Sequence, residues 1–130
     1  MGLFFCYFGN NSEYMELDDI QRVCHSLPAV TEDLKWGGHL CFSVGKKLFL
    51  ITSPDNFPVD ASFKVSDEDF EKLTAREDCI PAPYLARNKW IKVADIRNFT
   101  DKEWRHYLEQ AHRIIASKLS GAERLRLGIK

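Results

Sequence analysis

The residues best suited to bind a ligand lie between Arg87 and Arg97, where cations surround a tryptophan. In an extended strand alternate side chains share a face, so Asn88, Trp90 and Lys92 are predicted to project together. An indole beside an amide and an ammonium could stack on an exposed base or sugar while the cation contacts a phosphate. The alternative is that Trp90 is a core or boundary aromatic and the cations are solvated, since large aromatics are mostly buried.

Two adjacent lysines, Lys46 and Lys47, are predicted to lie at the tip of a β-hairpin. Gly45 stands first in the two-residue turn that follows Val44, where a type II′ turn requires glycine. Apolar and polar residues alternate from Leu40 to Val44, as they do in a half-buried strand. Two cations at such a tip are candidates for contact with a polyanion.

The charge of the chain is divided along its length. The net charge of −1 argues against a strongly basic nucleic-acid binder. However, residues 1–85 carry 7 Lys and Arg against 14 Asp and Glu, whereas residues 86–130 carry 11 against 5. This asymmetry could concentrate positive potential on one face of the fold. The alternative is that the two halves interleave in space and their charges cancel.

The four cysteines lack the Cys-x-x-Cys spacing of many metal sites. They are Cys6, Cys24, Cys41 and Cys79. A chain of this length needs no disulfides, so we predict buried free thiols and a reducing, cytoplasmic setting. A zinc site that combines Cys24 and His25 with His39 and Cys41 is the alternative.

Signatures of catalysis are missing from the sequence, which has no Gly-rich phosphate loop, His-Glu-x-x-His pair or Gly-x-Ser-x-Gly elbow. The acidic clusters at 18–19 and 67–69 lie at predicted helix starts, where carboxylates stabilise the positive helix end. His106 and His112 lie about 120° apart around a helix, so they are not expected to act together. We predict a protein that is not an enzyme and that uses no metal or cofactor.

Three helices are predicted. Apolar residues recur at helical spacing from Glu16 to Leu27. Ser66 and the three carboxylates after it start a middle helix. Thr100 and Glu103 form a capping box that opens the longest helix, which is expected to end at Gly121 and leave a frayed tail.

Strands are predicted around 34–36 and over 40–44, 48–52, 61–65 and 89–96. The turns between neighbours are too short for parallel crossovers, so the sheet is antiparallel. The predicted fold class is α+β, in the order helix, three or four strands, helix, one or two strands, long C-terminal helix.

Three segments carry a family resemblance. They are Leu27-Pro28-Ala29-Val30-Thr31-Glu32, the hairpin Val44-Gly45-Lys46-Lys47-Leu48-Phe49, and Tyr84-Leu85-Ala86-Arg87-Asn88-Lys89-Trp90. In this order they make the chain resemble the MmcQ/YjbR-like family of small bacterial proteins. The resemblance implies a compact α+β fold similar to secretion-chaperone-type domains, with two projecting loops proposed as a double-wing DNA-binding arrangement.

The resemblance divides the chain into a non-family extension at 1–14, a single domain at 15–120 and a tail at 121–130. The aromatic run at 3–8 is too short to cross a bilayer, and no basic residue precedes it as in a secretory signal. We therefore expect no membrane association. The extension could also reflect a start-site choice, or form a short strand docked on the core or on a neighbouring molecule.

Two functions follow as expectations. The first is DNA binding; its candidate residues are Lys46, Lys47, Arg87, Asn88, Lys89, Trp90, Lys92 and Arg97. The second is a protein-interaction module, in which another chain docks on apolar surface around Phe57, Pro83 and Tyr84 or on the N-terminal aromatic run. The oligomeric state is open, with a monomer as the default expectation.

Overall fold

A computed structural model describes residues 14–129 as one six-stranded antiparallel sheet with four helices. The strand order is β1-β2-β3-β4-β6-β5. This confirms the predicted α+β class. The elements are α1 (Leu17–His25), β1 (Val30–Lys35), β2 (His39–Val44), β3 (Lys47–Ser53), β4 (Asp60–Lys64), α2 (Asp67–Thr74), β5 (Cys79–Pro81), β6 (Trp90–Val93), α3 (Asp101–Ala116) and α4 (Gly121–Leu127).

The predicted helix starts follow from local hydrogen bonds. The Thr100 hydroxyl accepts from the backbone N–H of Glu103, and the Glu103 carboxylate accepts from the backbone N–H of Thr100. This is the expected capping box, which satisfies two free amides at the start of α3. Ser66 likewise accepts from the N–H of Asp69 at the start of α2.

The core lies between the sheet and α3. Phe63 meets the ring of Trp104 edge-on, with 5.3 Å between the ring centroids, and also contacts Phe99. The indole N–H of Trp104 donates to the Ile96 carbonyl at 2.7 Å, so the buried polar end of this side chain is satisfied. Apolar residues at helical spacing in α3 supply the rest of this face.

The register of the strands defines two faces of the sheet. Phe63 points toward the aromatic residues of α3, so its neighbours Ser62 and Lys64 point to the opposite face. Because Lys64 pairs with Trp90 and Ser62 pairs with Lys92, these partners share that side. We call this side, which α3 does not cover, the open face.

The hairpin turn is formed as predicted. Gly45 has a φ of 64°, and Lys46, the other turn residue, has a negative φ, as in a type II′ turn. In the pairing that follows, Phe42 faces Leu50 and Ser43 faces Leu48, so Phe49 is an extra residue in β3. This β-bulge allows both Phe49 and Leu50 to be buried.

Three predicted boundaries are wrong. The first strand, predicted around 34–36, is β1 at Val30–Lys35 and ends before Trp36. Gly121 does not end α3, which stops at Ala116; it begins α4, because the Ser120 hydroxyl accepts from the N–H of Glu123 and caps a new helix. The tail is therefore helical, and Leu127 packs against the core. The last strand covers only 90–93, since the chain turns into a 3₁₀ turn at Ile96.

The predicted extension at 1–14 lies outside the described residues except for Tyr14, which forms a β-bridge with Thr100. Within residues 14–129 no helix is both long enough and apolar enough to span a bilayer.

Candidate nucleic-acid interface

One end of the sheet collects lysines from several elements. β3 begins with Lys47, β4 ends at Lys64, and β6 begins immediately after Lys89. The pairing of Lys64 with Trp90, and a 3.0 Å hydrogen bond from the Val65 N–H to the Lys89 carbonyl, align these positions. We call this region the basic end. Its cations are Lys46, Lys47, Lys64, Arg87, Lys89 and Lys118.

The C-terminal end of α3 brings Lys118 to this region. Gly45 lies against the connection between α3 and α4, since a Cβ at Gly45 would stand 3.0 Å from Leu119 Cδ2. Burial lowers the pKa of Lys64, and the nearby Lys118 ammonium lowers it further, while the Asp67 carboxylate opposes both effects. The lysines are thus close enough to repel one another, and one carboxylate partly offsets their charge.

Most cations of the basic end are accessible and unpaired. The exposed ones are Lys46, Lys47, Arg87 and Lys118. Lys89 is half-buried, with its Nζ 4.9 Å from the centroid of the Phe70 ring, a cation–π contact. Within residues 14–129 no carboxylate forms an ion pair with any of these five side chains. Their charge is therefore available to an anion.

A buried lysine holds the second loop of the basic end in place. The loop 82–89 connects β5 to β6 and carries Arg87 and Lys89. Lys64 is 8% exposed, and its ammonium donates to the Asn88 carbonyl. Lys64 is too buried to contact a phosphate, but it fixes the position of the loop against the sheet.

The stacking role considered for Trp90 does not fit its burial. Trp90 is 6% exposed, and its backbone continues the pairing with the chain that precedes β6. The N–H of Trp90 donates to the Leu85 carbonyl, and the N–H of Ala82 donates to the Trp90 carbonyl. The alternative interpretation of Trp90 as a core or boundary aromatic is therefore correct.

Lys92 and Arg97 are not part of the basic end. Lys92 Nζ lies 3.6 Å from Asp60 Oδ2 on the open face, and Arg97 pairs with Asp95 at 3.3 Å beyond the far end of β6. The expectation that Asn88, Trp90 and Lys92 share one strand face is wrong for Asn88. Its backbone lies in a 3₁₀ turn before the strand begins.

A cleft of about 350 Å³ on the open face was not predicted as a site. Trp36 and Tyr84 stand at its rim and are 67% and 103% exposed, respectively. Both have a positive φ, 51° and 66°, a backbone conformation that is uncommon for bulky side chains. The sequence signal that could have indicated Trp36 is its place before Gly37 in the turn between β1 and β2.

Two polar groups of the cleft, His39 and Ser53, are paired with each other. His39 Nδ1 lies 3.1 Å from the Ser53 hydroxyl, and the His39 ring meets the Trp36 ring edge-on at 6.2 Å. These contacts hold the His39 ring in place beside Trp36.

Within the described part of the chain, the three cysteines form no metal centre. Cys24, Cys41 and Cys79 are buried free thiols, as predicted, and burial raises the pKa of Cys79 to about 12. Cys6 lies outside the described residues. Among residues 14–129 no group of three or more His, Cys, Asp or Glu side chains could hold a metal ion. The zinc alternative therefore has no support in the part of the chain that the structure describes.

The exposed aromatic residues Phe57 and Tyr84 do not lie on one continuous apolar patch. Phe57 is 98% exposed, but it borders a different cleft, shared with Arg97, from the one that Tyr84 borders.

Comparison with known proteins gives one family and one fold. A family model described as YjbR matches residues 25–114. The crystal structure of Deinococcus radiodurans protein DR2400, described as carrying the domain DUF419, superposes with a TM-score of 0.82 at 24% sequence identity, over 92% of each chain. At this identity the superposition shows a shared fold. No curated protein matches the chain.

Proposed function

This chain belongs to the YjbR family, and we propose that it binds DNA through phosphate contacts made by the basic end of its sheet. The observation that carries the proposal is that the tip of the β2–β3 hairpin and the loop 82–89, far apart in sequence, present unpaired cations at the same end of the sheet. Phosphate contacts supply most of the affinity of non-specific nucleic-acid binding.

The distribution of ion pairs supports this choice of surface. Lys92 and Arg97 each have a carboxylate partner, so their charge is largely neutralised. Lys46, Lys47 and Arg87 have none among residues 14–129 and stand at exposed positions. A polyanion would therefore gain more from the basic end than from either paired cation.

The hairpin and the loop would act as two projecting wings. The hairpin is held by its pairing and by the packing of Gly45 against Leu119. The loop is held by the contact of Lys64 with the Asn88 carbonyl. Two anchored loops present charge with little loss of conformational freedom on binding. The expected role is binding without catalysis.

Salt dependence tests the proposal. We expect the affinity for a labelled duplex, measured by fluorescence anisotropy, to fall steeply with salt concentration. Four phosphate contacts would give a log–log slope of about −3 to −4, since each neutralised phosphate contributes about −0.9. An affinity that does not change with salt would exclude phosphate contact.

A protein-interaction role is the second candidate, because Phe57 and Tyr84 are almost fully exposed. Such a role predicts that the protein binds no DNA at low salt and that Phe57→Ala, but not charge reversal at Lys46, abolishes capture of the partner.

A further inference from the structure

We propose that the cleft on the open face receives an unpaired base, so that the protein prefers single-stranded to duplex DNA. This inference rests on the proposed function, because the basic end would hold the phosphates of the same strand. It adds a second site, a stacking site, to the phosphate contacts.

The rim of the cleft offers two aromatic surfaces to a planar ligand. Trp36 follows β1, and Tyr84 lies in the loop before β6, so two separate segments bring aromatic rings to one cleft. Both rings are exposed, although burying either would stabilise the fold through the hydrophobic effect. Exposed aromatic rings on a sheet are what proteins use to stack successive bases of a single strand.

The lining of the cleft suits a base better than a phosphate. Ile51 and Leu85 provide apolar contact, and the hydroxyl of Ser62 can donate or accept a hydrogen bond. Lys92 and Asp60 form an ion pair there, so that together they add both a donor and an acceptor without net charge. A neutral base with donors and acceptors on its edge matches this lining.

The cleft is connected to the basic end by a single loop. Tyr84 and Arg87 lie three residues apart in the loop 82–89. Trp36 lies in the β1–β2 turn, at the opposite end of β2 from Lys46 and Lys47, so a strand held at the hairpin would pass along the loop 82–89 to reach the cleft. The volume of about 350 Å³ lies at the lower end of the range of small-ligand pockets, roughly 300–1,000 Å³. A paired base, stacked in a duplex, cannot enter such a cleft unless it leaves the stack.

Three probes with the same number of phosphates separate base binding in the cleft from phosphate contact at the basic end. They are a thymine oligonucleotide of about 12 nucleotides, a strand of the same length built only of abasic sugar-phosphate units, and a duplex with the same number of phosphates. We expect the thymine strand to bind at least about tenfold more tightly than the abasic strand. We also expect quenching of Trp36 fluorescence by the thymine strand alone.

Substitutions at the rim should abolish this preference. Trp36→Ala and Tyr84→Ala are each expected to weaken binding of the thymine strand about tenfold and to leave the abasic strand unaffected. Phe57→Ala is the matched control, because it removes an equally exposed aromatic ring from a different cleft. It should change neither affinity.

The outcomes distinguish the proposed base site from the proposed DNA binding. If the thymine and abasic strands bind equally, and Tyr84→Ala behaves as the parent protein does, the base site is wrong while DNA binding stands. If none of the three probes binds at low salt, the proposed function itself is wrong. A loss caused by Phe57→Ala equal to that caused by Tyr84→Ala would also overturn the base site.

Discussion

Replacing Lys46 and Lys89 together by glutamate is expected to weaken duplex DNA binding by at least about 100-fold at low salt. The two residues lie on the two loops of the basic end, and each change removes one charge-assisted contact, worth roughly 1.5–3 kcal/mol, and adds repulsion. Fluorescence anisotropy with a labelled duplex measures the effect.

The control for this experiment changes the total charge by the same amount at a distant place. Lys102→Glu with Arg105→Glu alters the first turns of α3, at the opposite end of the helix from Lys118. Lys102→Glu adds a carboxylate near the positive helix end, and Arg105→Glu breaks only the exposed ion pair with Asp101, which is worth less than about 1 kcal/mol. If this control weakened binding as much as the Lys46 and Lys89 pair does, net charge and not the basic end would determine affinity.

The second large effect is expected on stability. Trp90→Ala should lower the free energy of unfolding by about 3–5 kcal/mol, because it leaves a cavity at a buried site. Urea denaturation measures this change. Trp90→Phe keeps most of the apolar volume and should cost about 1–2 kcal/mol.

DNA binding by the Trp90→Phe protein tests whether Trp90 only packs inside the protein or also stacks on a DNA base. A buried ring should leave the affinity for duplex and single-stranded DNA unchanged within about twofold, which is less than 0.5 kcal/mol. A tenfold loss of affinity under conditions where the Trp90→Phe protein is fully folded would mean that Trp90 contacts DNA directly.

Local chemistry made much of the fold predictable. The capping box of Thr100 and Glu103, the serine cap at Ser66 and the glycine turn at Gly45 each depend on residues within four positions of one another. Such signals need no knowledge of the tertiary structure. They correctly predicted the starts of α2 and α3 and the turn between the antiparallel strands β2 and β3.

The candidate site was less predictable because it depends on contacts between distant segments. The burial of Trp90, which is 6% exposed, depends on what packs over its side of β6 in the folded chain. Alternation along a strand predicts which side a residue faces, but it does not predict what covers that side. The same limitation concealed the cleft, whose rim residues lie 48 positions apart at Trp36 and Tyr84.

The charge pattern was informative only in part. The positive C-terminal third contributes Arg87, Lys89 and Lys118 to the basic end, together with the hairpin lysines. Lys92 and Arg97 come from the same third, yet nearby carboxylates neutralise them. Counts along the sequence therefore indicated a basic surface, but the ion pairs decide which cations belong to it.

The slope of affinity against salt, compared between the parent protein and a neutralised variant, tests phosphate contact at the basic end most directly. Lys46→Ala with Lys89→Ala should reduce the steepness of the log–log slope for duplex DNA by about 1.8, which is roughly 0.9 for each phosphate contact removed. An unchanged slope would contradict the proposal, because it would mean that neither lysine contacts a phosphate.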